Sequence, residues 1–153
     1  MTAFFSSPSS QALLKAELDS WLGTPYRHWC GVKGKGADCI HFVLRVYQAL
    51  GLVQWRRGLV PEYPADWHLH NTGELLLDGV VRELNVEPVD PDSPQNGDLV
   101  LFRFGKAVSH AAIYFEGGLY QSMTGYGVRR LSWKDAVWFK RRTHVFRLVG
   151  PKT

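Results

Sequence analysis

The chain has 153 residues, 45% hydrophobic and 13% aromatic, with a net charge of +4. That predicts one folded domain over 1–153 and excludes a disordered chain. Its longest apolar runs fall far short of the ~18 residues a membrane helix needs, and two cysteines cannot make a disulfide framework. The N-terminus lacks a basic start followed by a long apolar stretch, so the expectation is a chain made in the cytosol without a signal peptide. The mild positive balance suits an anionic partner such as nucleic acid or a cell-wall polymer, without choosing between them. The densest basic run, "FKRRTH" at 139–144, reads as a solvated face.

Residues 9–22 read as a helix, with Ser9 or Ser10 as cap and Leu14, Leu18 and Trp21 on one stripe. A glycine-rich loop follows, at Gly31, Gly34 and Gly36. "DCIHFVLRVYQALG" then predicts a second helix. Asp38 caps it, Cys39, Val43, Val46 and Leu50 share one face, and Gly51 stands where a C-terminal glycine belongs. Cys39 therefore falls in the first turn, facing the interior. Residues 54–71 are irregular and rich in aromatic residues, among them Trp55, Tyr63, Trp67, His68 and His70. Residues 73–84 read as a shorter helix. After Gly97 the period changes, and 98–104, 110–115, 119–123 and 143–149 read as strands. The "GG" at 117–118 signals a hairpin turn. Helices first and an antiparallel sheet second is an α+β pattern.

The stretch from 23 to 42 holds His28, Cys30, Cys39 and His41. Three chemistries compete for it. Zinc wants four N/S ligands in a tetrahedron, but the spacing within each Cys/His pair is one residue shorter than usual. On a helix His41 also points about 200° round from Cys39, so no metal is expected. A Cys30–Cys39 bridge would close a short loop, but cytosolic thiols stay reduced. A reactive thiol is the third reading. The first turn of a helix favours thiolate, and a positioned base must stand nearby. The candidates are His28, His41, His68, His70, His110 and His144. Of these, His110 and His144 fall on strands of the sheet against which the Cys39 helix packs. His110 opens its strand, a suitable place for a general base.

These residues carry a resemblance. "GTPYRHWCGVKGKGADCIHFVLRVYQALGL" resembles the segment around the nucleophile of NlpC-type cysteine peptidases, a papain-like family that cuts bacterial cell-wall peptides. "NGDLVLFRFGKAVSHAAIYFEGGLYQSMTGYGV" is similar to that family's second half. The resemblance implies an α+β papain-like fold, with Cys39 as nucleophile and His110 as base. Gln121 would be the third polar residue that orients the imidazole, and Tyr26 and Asp38 would lie on the substrate and oxyanion side. It implies no cofactor, no metal, no nucleic-acid partner and no membrane span. The implied substrate is the peptidoglycan stem peptide, cut between D-glutamate and the diamino acid. "VKGKGADC" and "YPADW" look most like small peptidases encoded with phage tail genes, which implies tail proteins as partners and action at the host wall. An acyltransferase with the same dyad, or a structural tail protein with a vestigial site, would share these features. The departures are Ile40 and His41, where the family carries serine and glycine. With a two-residue loop at Gly117–Gly118, Gln121 faces the same side as His110 but sits roughly 13 Å down the strand at ~3.4 Å per residue. A three-residue loop would favour Ser122 instead.

Overall fold

The computed structural model describes residues 2–70 and 74–152, without the side chains of His68, His70 and Ala136. Helix α1 (Pro8–Trp21) opens the fold. Its cap is Ser7 rather than Ser9 or Ser10, because Pro8 takes the first helical position, where a missing N–H costs nothing. Ser10 serves instead as the far half of a capping box with Ser7. Leu14, Leu18 and Trp21 form the buried stripe.

The glycine-rich loop folds into a hairpin of two-residue strands, β1 (Gly31–Val32) and β2 (Gly36–Ala37), too short to leave a period in the sequence. Helix α2 (Cys39–Ala49) follows at once, with the Asp38 carboxylate accepting from His41 N at 2.8 Å. Cys39, Phe42, Val43, Val46 and Tyr47 are buried along it, and Phe42 meets Trp21 of α1 edge-on at 5.7 Å. Gly51 closes the helix at φ +82°. The segment after it carries the short α3 (Trp67–His70) and then α4 (Leu75–Glu83). The helix expected from 73 thus begins at Leu75, and Gly73 itself lies outside the described residues.

Six antiparallel strands follow: β3 (Asn85–Val89), β4 (Leu99–Phe104), β5 (Ala107–Phe115), β6 (Gly118–Met123), β7 (Gly127–Ser132) and β8 (Arg142–Gly150), in the order β3-β8-β4-β5-β6-β7. Helix α5 (Ala136–Arg141) precedes the last strand. The fold is α+β, as expected. The edge strands β3 and β7 and helix α5 are not predicted by the sequence pattern. Alternation along the sheet makes two apolar layers. Leu99, Leu101, Ala111 and Ile113 join α1 and α2 in the larger one, while Val100, Phe102 and Ala112 join Trp133, with Trp138 and Phe139 of α5 packed against them.

The start of β4 is fixed by the "NGD" segment. Tyr47 of α2 donates its hydroxyl to Gly97 O at 2.8 Å, and Arg147 of β8 grips the Asp98 carboxylate at 3.1 and 2.8 Å. Gly97 has φ +93°, and a Cβ there would lie 2.1 Å from the ring of Phe5. Gly117 also has a positive φ, +77°, but open space around it. Gly97→Ala should therefore lose on the order of 3 kcal/mol, combining strain and overpacking, whereas Gly117→Ala should lose about 1 kcal/mol from strain alone. Urea unfolding of the two variants checks this; equal losses would place the constraint in the backbone and not in the Phe5 contact.

Candidate active site

The first turn of α2 is organised by Asp38. Its carboxylate, 1% exposed, accepts from Trp29 N at 2.8 Å, His41 N at 2.8 Å, His41 Nδ1–H at 2.9 Å and the Tyr63 hydroxyl at 2.6 Å. Burial pushes this carboxyl up, but the bonds from His41, then Tyr63, outweigh it and hold its pKa below the ordinary value. Asp38 is therefore ionised at neutral pH, with its lone pairs taken by the chain itself.

Cys39 follows directly. Its thiol is buried and lies 3.8 Å from Ser109 O of β5. A β-bulge brings that carbonyl there. Phe102 pairs with His110 and Arg103 with Val108, so Ser109 is the unpaired extra residue. Burial first, and then the charge of Asp38, push the Cys39 thiol up to about 12, against the N–H groups of Ala111, Cys39 and Ile40. The resting thiol is neutral.

His110 stands next to the bulge, on the face opposite Ala111. Its Nε2–H donates to Gln121 Oε1 at 2.6 Å. An amide oxygen can only accept, so the proton sits on Nε2 and Nδ1 keeps its lone pair. Burial pulls the imidazole down to about 4, and the Gln121 bond opposes this only in part.

The placement of Gln121 corrects the expected turn. The hairpin turns at Glu116 and Gly117, with φ +46° and +77°, not at Gly117–Gly118. Positive φ at both central residues marks a type I′ turn. Ile113 pairs with Tyr120 and Tyr114 with Leu119, so the register moves Gln121 two residues nearer to His110 than the shifted turn would allow. The diagonal neighbour on the same face is then within hydrogen-bond reach. Ser122 points the other way and donates to Ala37 O at 2.6 Å.

Cys39 and His110 border one cavity of about 330 Å³, together with Tyr26, Asp38, Ile40, Tyr63, Trp67, Phe104, Tyr126 and Trp138. Tyr26 is half-buried; burial, and after it Cys39, raises its hydroxyl above the ordinary value. The segment expected to be irregular supplies Tyr63 and Trp67. It is pinned by Trp29 Nε1–H to Pro61 O at 3.2 Å and by a hydrogen bond of 2.9 Å between His28 Nε2 and Tyr63 O. The other members of the Cys/His cluster are used differently. His28 and His41 are engaged as described, and Cys30 and Cys39 are both free thiols. Among the described residues no group of three or more His, Cys, Asp or Glu converges on a point able to hold a metal. The side chains of His68 and His70 lie outside the described residues. His144 stacks on Phe146 and bonds Thr143 Oγ1 at 2.8 Å, away from the cavity.

Trp138 is the site residue that the sequence reading missed. Its ring lies 4.6 Å from the His110 imidazole, tilted by 37°, with Phe102 and Phe104 completing the aromatic surround. Asp135 as a cap and Lys140 and Arg141 in the last turn are the signals that could have revealed its helix.

A thiol in the first turn of a helix, and an imidazole held by an amide on the adjoining sheet, can together perform acyl-transfer chemistry through a covalent intermediate. Their scaffold is α+β, with helices packed on a six-stranded antiparallel sheet. The family model for NlpC/P60 matches residues 23–147, and the chain belongs to that family. It is 29% identical over 114 residues to "Probable endopeptidase p60" of Listeria grayi, a match covering 74% of this chain and 18% of that one. The chain thus spans less than a fifth of the length of that curated relative. Two solved structures share the fold. One is an NLP/P60 family protein from Staphylococcus aureus described as similar to lipoprotein, with TM-score 0.68, 18% identity, and 97% of this chain and 43% of that one covered. The other is an NlpC/P60 family protein from Bacillus cereus, with TM-score 0.59, 23% identity and coverages of 88% and 39%. No described helix is long and apolar enough to cross a membrane.

The depressed imidazole has a definite sign. A histidine held neutral contributes stability that is present above its unfolded value near 6.5 and is lost as pH falls through about 4. Removing the ring that covers it should let water reach it. In Trp138→Ala, the His110 imidazole signals in a two-dimensional NMR titration should move their midpoint up toward 6.5. An unchanged midpoint would mean that Trp138 does not keep His110 dry.

Proposed function

We propose that the chain is a cysteine endopeptidase that hydrolyses peptidoglycan stem peptides at the bond between D-glutamate and the diamino acid. The observation that carries this reading is the shared cavity of Cys39 and His110, with the imidazole tautomer fixed by Gln121. Family membership and the named relative support the peptidase class. The wall substrate and the exact bond come from the family resemblance. The "VKGKGADC" and "YPADW" segments support a setting in a phage or prophage tail, with tail proteins as partners.

The chemistry follows from neutral partners. His110 takes the Cys39 proton at Nδ1 as Sγ attacks the carbonyl carbon. Gln121 Oε1 accepts from Nε2–H throughout, so the ring keeps its orientation as it becomes imidazolium. The backbone N–H of Cys39, at the start of α2, faces the developing oxyanion, with Tyr26 on the same cavity wall. Imidazolium then protonates the leaving amine, and the C–N bond breaks. Water, deprotonated by His110, releases the acyl group and regenerates the thiol. No step uses a metal or cofactor.

Digestion of purified diaminopimelate-type peptidoglycan, read by mass spectrometry of the released fragments, tests the reading. Wild type should release new stem-peptide termini, and Cys39→Ala none. Gln121→Ala should retain the products but lower kcat by on the order of 10²-fold, the scale of a misaligned general base. Intact stem peptides after digestion with wild type would overturn the proposal, and fragments joined to an added amine would identify a transferase instead.

A further inference from the structure

The cavity over Cys39 is short of positive charge. Its walls are largely aromatic, and Ile40, next to the nucleophile, adds an apolar surface where the resembled motif has a hydroxyl. Among the described residues that line it, Asp38 is the one carboxylate, and it is ionised. No lysine or arginine is among the described residues that line it, and the residues outside the description include none. Two arginines pack on rings of its wall from outside the lining. Arg129 packs over the ring of Tyr126 at 5.1 Å and Arg141 over that of Phe104 at 4.6 Å, and neither lines it. His28, the other basic side chain at the wall, is tied to Tyr63 O.

We infer that this cleft takes stem peptides in amidated form, with a carboxamide in place of the free α-carboxylate on the residue that supplies the scissile carbonyl. The inference rests on the peptidase reading above. In a γ-linked D-glutamyl peptide that α-carboxyl lies only a few bonds from the carbonyl under attack, so it enters the cavity with it. There a carboxylate loses water, meets the negative charge of Asp38, and finds no lysine or arginine among the described lining residues to replace its hydration. A primary amide carries no charge. Its N–H groups can donate to tyrosine hydroxyls and backbone carbonyls, and its oxygen can accept from a tyrosine hydroxyl. The substrate class is therefore the D-isoglutamine form of the stem peptide.

The test uses two synthetic substrates, L-alanyl-γ-D-glutamyl-diaminopimelate and its D-isoglutamine counterpart, with wild type and Met123→Lys. Met123 lines the cavity and lies outside the proposed dyad. The amidated peptide should be cleaved with kcat/KM at least about tenfold higher by wild type. Met123→Lys, which adds a cation, should narrow or reverse that ratio. Equal cleavage by wild type, or preference for the free acid, would overturn the inference and leave the peptidase reading intact. If wild type cleaves neither, calorimetry with Cys39→Ala decides. Tighter binding of the amidated peptide would sustain the recognition chemistry while ending the hydrolase reading, and binding of neither would end both.

Discussion

The buried carboxylate of Asp38 holds three parts of the chain to one point. It accepts from Trp29 in the glycine-rich loop, from His41 one turn into α2, and from Tyr63 in the segment that roofs the cavity. A buried anion with unfilled lone pairs would be costly, and each of these donors lowers that cost. The arrangement is therefore reciprocal. The carboxylate needs the loop and the roof in place, and they in turn fix the entry of α2 and the position of Cys39. The same charge has an electrostatic consequence. The N-terminus of α2 favours a thiolate, but burial, and after it the adjacent Asp38, act against it, and the balance leaves a neutral thiol.

The departures from the resembled motif make sense in this frame. A histidine at position 41 brings a large ring to a crowded helix start. Gly31 makes the room: a Cβ there would lie 2.9 Å from that of His41. The imidazole then packs edge-on against Trp29 at 5.5 Å and near Trp55 at 6.0 Å, while the Arg45 guanidinium lies 3.5 Å over Trp55 and donates from Nε to Gly31 O at 3.1 Å. His41 thus exchanges a small residue for a side chain that completes the Asp38 shell and anchors the roof. This structural part accounts for a residue that sequence spacing alone leaves among possible metal ligands.

Much of the site is legible in sequence because it depends on local rules. Asp38 as cap, Cys39 in the first turn, and Gly51 as stop follow from helix chemistry, and His110 follows from the strand pattern after the "NGD" turn. Gln121 was legible as to face but not as to distance. Moving the turn by one residue shifts the register by two; alternation survives that shift, whereas reach does not, and the choice between Glu116–Gly117 and Gly117–Gly118 depends on a non-glycine residue accepting φ +46°. The Ser109 bulge is still less visible, since it exists only as a mismatch between β4 and β5. Helix α5 has six residues, less than two full turns, too short for periodicity to stand out. Its Trp138 reaches His110 only because the sheet brings residues far apart in sequence together.

Gln121 makes a further point about charge. Its Nε2 is buried and has no partner among the described residues. An unsatisfied buried donor costs roughly 1–3 kcal/mol. A glutamate in the same place would remove that N–H and would orient His110 equally well through an oxygen. It would also bury an anion and pull the imidazole toward its protonated form. Glutamine keeps the ring oriented and neutral, at the expense of one orphaned N–H. Thiol, imidazole and amide then rest uncharged beneath Trp138 and Tyr63. In the proposed mechanism charge separates only as the thiol proton moves, where the N–H groups of the first turn of α2 meet it.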